Sequence, residues 1–168
     1  PLRRQRQMCI RDRVTGAAKR LGRSIALALA AGGWQVAVHY RSSAQDAINT
    51  VAECARLTSA SAHFEADFDD EAAVRGLLPR VVAHFGRVDA VVNSASLFEH
   101  DDAATFSFSA LEKHLRSNTA TPVLLAQALH QHVADRVAAG EADAQGAVVN
   151  LLDQKLWNQN PDLSLIHI

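Results

Sequence analysis

The chain has 168 residues, 48% of them hydrophobic and 21% charged, with 17 basic side chains against 18 acidic ones. That is enough for one domain with a real core and too little for two, and it excludes a disordered chain. A formal net charge of −1 gives no support to nucleic-acid or membrane partners, and no apolar run approaches bilayer-spanning length.

In chain order, residues 1–13 carry no useful period and are crowded with Arg. They resemble a translated adapter remnant, as does the closing Leu163-Ser164-Leu165-Ile166-His167-Ile168. Residues 1–13 and 163–168 are therefore expected to be non-native scars, leaving a domain over residues 14–162 that is an internal piece of a longer protein. The alternative is a basic N-terminal arm and a short apolar terminal strand. Val14-Thr15-Gly16-Ala17-Ala18-Lys19-Arg20-Leu21-Gly22 reads as a glycine turn leading into a helix. Such a turn lets a dinucleotide pyrophosphate approach the backbone and sit at a helix N-terminus. A buried apolar strand should precede it, yet Arg11, Asp12 and Arg13 stand there, so weak pairing or local disorder is predicted.

Ile25, Leu27, Ala28, Leu29 and Ala31 give a helix that Gly32-Gly33 stops. Gln35 to Tyr40 reads as a buried strand, and Ser43-x-x-Asp46 offers a capping-box start to a helix through Ala47, Ile48, Val51 and Ala55. Residues 62–66 make a third strand candidate. Asp69-Asp70-Glu71 charges the start of the next helix, which runs through Val74, Leu77, Leu78 and Val81 towards Gly86. Ala90 to Asn93 is a short strand, and a long helical region covers Ser109 to Ala139, with Pro122 marking a break or new first turn. Ala147 to Leu152 closes as a strand.

Strands alternating with helices at this spacing predict an α/β fold with a doubly wound parallel sheet. Its ligand crevice should lie at the carboxyl ends of the strands, where their order reverses. Cys9 and Cys54 lack metal or redox spacing, which suits a reducing, cytoplasmic setting. His130 and His132 are not at a helical ligand spacing, and no metal is expected.

Thr15-Gly16-x-x-x-Arg20-x-Gly22, Asn93-Ser94-Ala95-Ser96 and Asp153 together resemble the short-chain dehydrogenase/reductase family, and within it the pteridine-reductase branch. The resemblance covers residues 14–162. It implies a Rossmann fold, here incomplete, with the first strand replaced and the last strands missing. Gly16 permits the tight turn, Gly22 permits close helix–sheet packing, Arg20 stands beside the pyrophosphate and the substrate pocket, and Leu21 is expected at the coenzyme. An NAD enzyme wants a carboxylate after the second strand, whereas a 2′-phosphate needs cations and donors. His39-Tyr40-Arg41-Ser42-Ser43 holds no acid, so NADPH is the expected coenzyme. Asp67, with Phe68, resembles the family Asp that meets the adenine amino group. Asn93, Ser94, Ala95 and Ser96 resemble the family's NNAS segment along the adenosine ribose and nicotinamide, with Ser94 in place of the second Asn.

For the substrate, the resemblance implies Arg20, Ser96, Phe98 and Asp153, with Phe98 stacking on a flat heterocycle. Asn118 matches the family Asn that kinks its helix and positions a water in the proton relay. Asp153 matches the branch's carboxyl that helps deliver a proton to a ring nitrogen. The family's Tyr and Lys are expected near position 166 and beyond; Ile166 stands there, Tyr40 is the single Tyr, and Lys155 is too close to Asp153 to substitute. The chain as written is therefore expected to be inactive, and its intact parent to be an NADPH-dependent reductase of a pterin or dihydrofolate-like small molecule. That parent should be a homotetramer or homodimer. The alternatives are a short-chain reductase of a ketone or acyl substrate and a non-catalytic NADPH-binding module.

Overall fold

The computed structural model describes residues 11–99 and 104–152, and the side chains from Val14 onward. Five strands alternate with helices: β1 (Arg11–Val14), α1 (Arg20–Ala31), β2 (Gln35–Tyr40), α2 (Ala44–Cys54), β3 (Ser61–Glu65), α3 (Glu71–Phe85) and β4 (Ala90–Asn93) come first. Then follow α4 (Phe108–Leu115), a π-helical turn at Arg116–Ala120, α5 (Thr121–Ala138) and β5 (Ala147–Asn150). The sheet has the order β3-β2-β1-β4-β5, and its pairings are parallel. Strand order therefore reverses between β1 and β4, which places the crevice over their carboxyl ends.

The sequence reading of the first strand needs correction. Arg11, Asp12 and Arg13 do form a strand, and it is the central one: Asp12 faces Val36 and Ala90, Arg13 faces Ala37 and Val91, and Val14 faces Val38 and Val92. The ladder is built from backbone groups that any non-proline residue carries, so two paired neighbours impose a strand that the side chains do not announce. At the other edge, β5 ends at Asn150 and is exposed on both faces. Leu151 adds one bond, from its N–H to the Asn93 carbonyl at 3.1 Å, and Leu152 lies beyond the strand.

Alternation divides the core between the two faces of the sheet. Val36, Val38, Val14 and Val92 pack with Ala26, Ala30, Ala47 and Cys54 of α1 and α2. Ala37 and Val91, pointing the opposite way, pack with Leu77, Leu78, Val81, Leu125 and Leu129 of α3 and α5. Helix α3 is capped at both ends: Asp70 accepts from the Ala72 N–H at 2.9 Å, and Gly86 closes it with φ of +86°. The expected capping box on α2 is not made. Ser43 stands at the N-cap without a side-chain capping bond, and Asp46 pairs instead with Lys19 at 2.9 Å.

The end of the sheet remote from the crevice is held by charge. Arg136 of α5 meets Asp89 at 3.0 Å and Glu141 at 2.7 Å, while Arg87 meets Asp89 at 2.8 Å. Beside them the Val88 N–H donates to His132 Nε2 at 3.2 Å. Burial first, and the Arg136 charge second, hold this imidazole below the ordinary histidine range, against the opposite pull of Asp89, Asp135 and Glu141. The fold thus favours the neutral ring, and the unfolded chain takes up the proton first as pH falls. The stability involved is complete above the unfolded value of 6.5 and is lost as pH drops below it. Denaturant melts at about pH 7.5 and about pH 5.5 should show this decline, and His132→Gln, which keeps an acceptor without that titration, should flatten it. The Arg136 hydrogen bond lowers Glu141, whose contribution fades only below 4.5, so the two windows separate.

Candidate functional site

The crevice is assembled from four strand ends. Where β1 finishes, the Thr15 N–H donates to the Val92 carbonyl at 2.9 Å, and Thr15 Oγ1 accepts from the N–H groups of Ser94 and Ala95, both at 2.9 Å. These bonds tie the turn after β1 to the turn after β4. Gly16 then takes φ of +62°, and a Cβ there would lie 2.9 Å from Ala95 Cα, so side chain and backbone cannot share the space. Gly22 serves the same turn: its missing Cβ would press on the Gly16 carbonyl oxygen, so the close approach is of α1 to the turn itself.

Arg20 has φ of +52°, unlike every other non-glycine residue described. The position demands a left-handed residue, which is why the commoner pattern has glycine there; an L side chain adds roughly 1–2 kcal/mol of strain. The Arg20 side chain is exposed at the first turn of α1, and Leu21 beside it is 61% exposed.

Across the turn lies a cleft of about 180 Å³ lined by Gly16, His39, Arg41, Ala66, Asp67, Phe68, Asp69, Ala95, Ser96, Leu97 and Ser117. Seven residues singled out from the sequence meet there: Gly16, His39, Arg41, Asp67, Phe68, Ala95 and Ser96. Ala66, Asp69, Leu97 and Ser117 were missed, although each neighbours a residue named from the sequence. Asp67 Oδ1 accepts from the Asp69 N–H at 3.0 Å, which turns the chain after β3 where both residues line the cleft. Phe68 is buried and lies parallel to the His39 ring, with centroids 4.3 Å apart.

Other expected site residues stand elsewhere. Tyr40 tilts against His63 at 5.7 Å and packs with the α1 and α2 cluster. Ser42 is exposed beside Arg41. Asn93 is buried below the cleft, donating from Nδ2 to Asn150 Oδ1 at 2.8 Å; its own Oδ1 has no partner among the described residues. Ser94 is held by Thr15. Phe98 is 53% exposed on the segment after β4. Asn118 sits in the π-helical turn, where its amide accepts from the Leu97 N–H at 2.7 Å and donates to the Leu97 carbonyl at 2.9 Å. The helix kink expected at Asn118 is therefore a π-bulge, and the side chain secures the segment that borders the cleft. Asp153, Lys155 and Ile166 lie outside the described residues.

The glycine turn, Arg41 and Asp67 thus meet at one cleft, over the strand ends of a parallel sheet. A family model described as short chain dehydrogenase matches residues 13–152. The chain belongs to the short-chain dehydrogenase family. It is 33% identical to pteridine reductase 1 of Leishmania tarentolae over 172 aligned positions, covering 83% of this chain and 59% of that protein. A 3-oxoacyl-[acyl-carrier-protein] reductase of Staphylococcus aureus is 39% identical over 84 residues, 50% of this chain and 34% of that one. Among solved structures, the FolM alternative dihydrofolate reductase 1 of Brucella canis, complexed with NADP, superposes with a TM-score of 0.82 at 28% identity. That match covers 94% of this chain and 60% of the Brucella chain. The chain thus spans about three fifths of the first of these relatives.

In the turn Thr15-Gly16-x-x-x-Arg20-x-Gly22, Thr15 ties the turn to the one after β4, and Gly16 and Gly22 allow close backbone approach. Among the described residues no helix is long and apolar enough to cross a membrane, and no group of His, Cys, Asp and Glu could hold a metal ion.

Proposed function

We propose that this chain is the coenzyme-binding part of an NADPH-dependent reductase whose substrate is a pterin or dihydrofolate-like ring. The observation that carries the reading is that Arg41, after β2, lines one cleft with Asp67, after β3, and with Gly16 in the turn after β1. The cation, with the Ser42 hydroxyl beside it, suits a 2′-phosphate, and the Asp67 carboxylate suits an adenine amino group. Within that cleft Arg41 would attract the phosphate, whereas Asp67 and Asp69 would repel it. The left-handed turn at Gly16, leading into the N-terminus of α1, suits a pyrophosphate drawn close to the backbone.

The cleft, at about 180 Å³, is small beside the roughly 300–1,000 Å³ of a complete ligand site, which suits one end of a longer molecule. When bound, the nicotinamide would supply hydride. Ser96 would border the reacting ring, Phe98 would cover a flat heterocycle, Arg20 would stand beside both ligands, and Asp153 would handle the proton at a ring nitrogen. The relationships to the Leishmania pteridine reductase and the Brucella FolM protein support the ring substrate. Similarity to the Staphylococcus 3-oxoacyl reductase supports a second reading, in which a ketone or acyl group is reduced.

Titration calorimetry with NADP+ and NAD+ tests the coenzyme. The chain should prefer NADP+, and Arg41→Ala should weaken NADP+ binding by roughly 10- to 100-fold while leaving NAD+ nearly unchanged. Equal affinities in the unmutated chain would remove the basis of the proposal. Saturation-transfer NMR with dihydrobiopterin against a 3-oxoacyl thioester, at saturating NADP+, separates the two substrate classes.

A further inference from the structure

The sequence places His39 among groups that meet the coenzyme directly, but its ring is only 3% exposed and both of its nitrogens are engaged by backbone. The Gly16 N–H donates to Nδ1 at 3.2 Å, and Nε2 lies 3.0 Å from the Ala66 carbonyl oxygen. A carbonyl can only accept, so Nε2 carries the hydrogen; an amide N–H can only donate, so Nδ1 is bare. Two partners of opposite polarity therefore specify one neutral tautomer. The same ring lies at 3° to Phe68, and the His39 carbonyl accepts from the Ala17 N–H at 3.1 Å.

We infer that His39 is a positioning residue for the coenzyme, a neutral latch that joins the glycine turn to the segment carrying Asp67 and Phe68. Resting on the reading proposed above, it sets the two walls of the cleft relative to each other. Gly16 has a left-handed backbone and no side chain to brace it, so the direction of its N–H depends on the acceptor it meets. The Nδ1 bond turns that N–H inward, as the His39 carbonyl does for the Ala17 N–H that follows, so both amides of the turn are set by one residue. The Nε2 bond fixes Ala66, one residue before the Asp67 carboxylate. His39 thus acts through Gly16 and Asp67, and it raises affinity for the adenosine and pyrophosphate common to both coenzymes without choosing between them.

Two variants of the chain test the latch. His39→Phe keeps the flat ring on Phe68 and removes both hydrogen bonds; His39→Asn returns an acceptor oxygen near the Nδ1 position. His39→Phe should weaken NADP+ and NAD+ by the same factor, about tenfold, with their ratio preserved, and His39→Asn should regain most of the loss. Unchanged affinity in His39→Phe, a loss confined to NADP+, or no recovery in His39→Asn overturns the latch. Nitrogen-15 NMR of the unmutated chain needs no substitution: a hydrogen on Nε2 and a bare Nδ1 at neutral pH are expected, and the reverse tautomer overturns it. Equal wild-type affinities for the two coenzymes would sink the 2′-phosphate reading alone, because the latch is judged on the common loss.

Discussion

Gly22→Val is expected to destabilise the chain by about 3 kcal/mol and to weaken coenzyme binding at least about tenfold. A Cβ at Gly22 would press on the Gly16 carbonyl oxygen and lie 2.9 Å from the Gly16 carbonyl carbon and 3.1 Å from Ala17 Cα. All three are backbone atoms of the turn, which cannot swing aside as the tip of a flexible side chain can. Relief requires lifting α1 off the turn, and that opens the contacts of Ala26 and Ala30 with Val36 and Val38. Urea melts should show the midpoint falling at an unchanged slope. Gly76→Ala is the matched control, because nothing lies within 4 Å of a Cβ there in α3. It should be neutral or stabilising by up to about 1 kcal/mol through helix propensity. If both substitutions behaved alike, the close approach at Gly22 would have no energetic meaning.

Thr15→Val carries the second large effect, an expected loss of about 2–4 kcal/mol at nearly constant volume. Thr15 is 1% exposed, and its Oγ1 is the acceptor for both the Ser94 and Ala95 N–H groups. Valine fills the same space and leaves two amides without that acceptor, each costing roughly 1–3 kcal/mol when shielded from water. The turn after β4 then loses its tie to the turn after β1, and the crevice between them loosens. Thr15→Ser should recover most of the loss, since it restores the oxygen. Hydrogen exchange at Ser94 and Ala95 should accelerate in Thr15→Val and return in Thr15→Ser; unaltered protection in both would show that the hydroxyl does not hold the turn.

The elements legible in the sequence are those whose side chains share one environment along their length. β2 and β4 were bounded correctly because both are buried on two faces and read as apolar runs between turn residues. The start of α3 was legible because Asp70 both charges and caps it. β1 was not, since three of its four residues, Arg11, Asp12 and Arg13, are charged and its place is set by partners distant in sequence. The capping box at Ser43 failed for a related reason: Lys19, brought in by the fold, offers Asp46 an ion pair.

For the candidate site, the sequence alone determined the glycine turn, the acid-free end of β2 and the Asp after β3, because residue type decides which backbone angles and charges are available. Tertiary structure decided how these groups are used. It turned His39 inward onto Gly16 and Ala66, gave Arg20 a left-handed backbone, and set Asn118 to hold Leu97. Each of these depends on a partner that lies close only once the strands are paired, and a hydrogen bond is fixed by distance and direction in space, which residue order does not record.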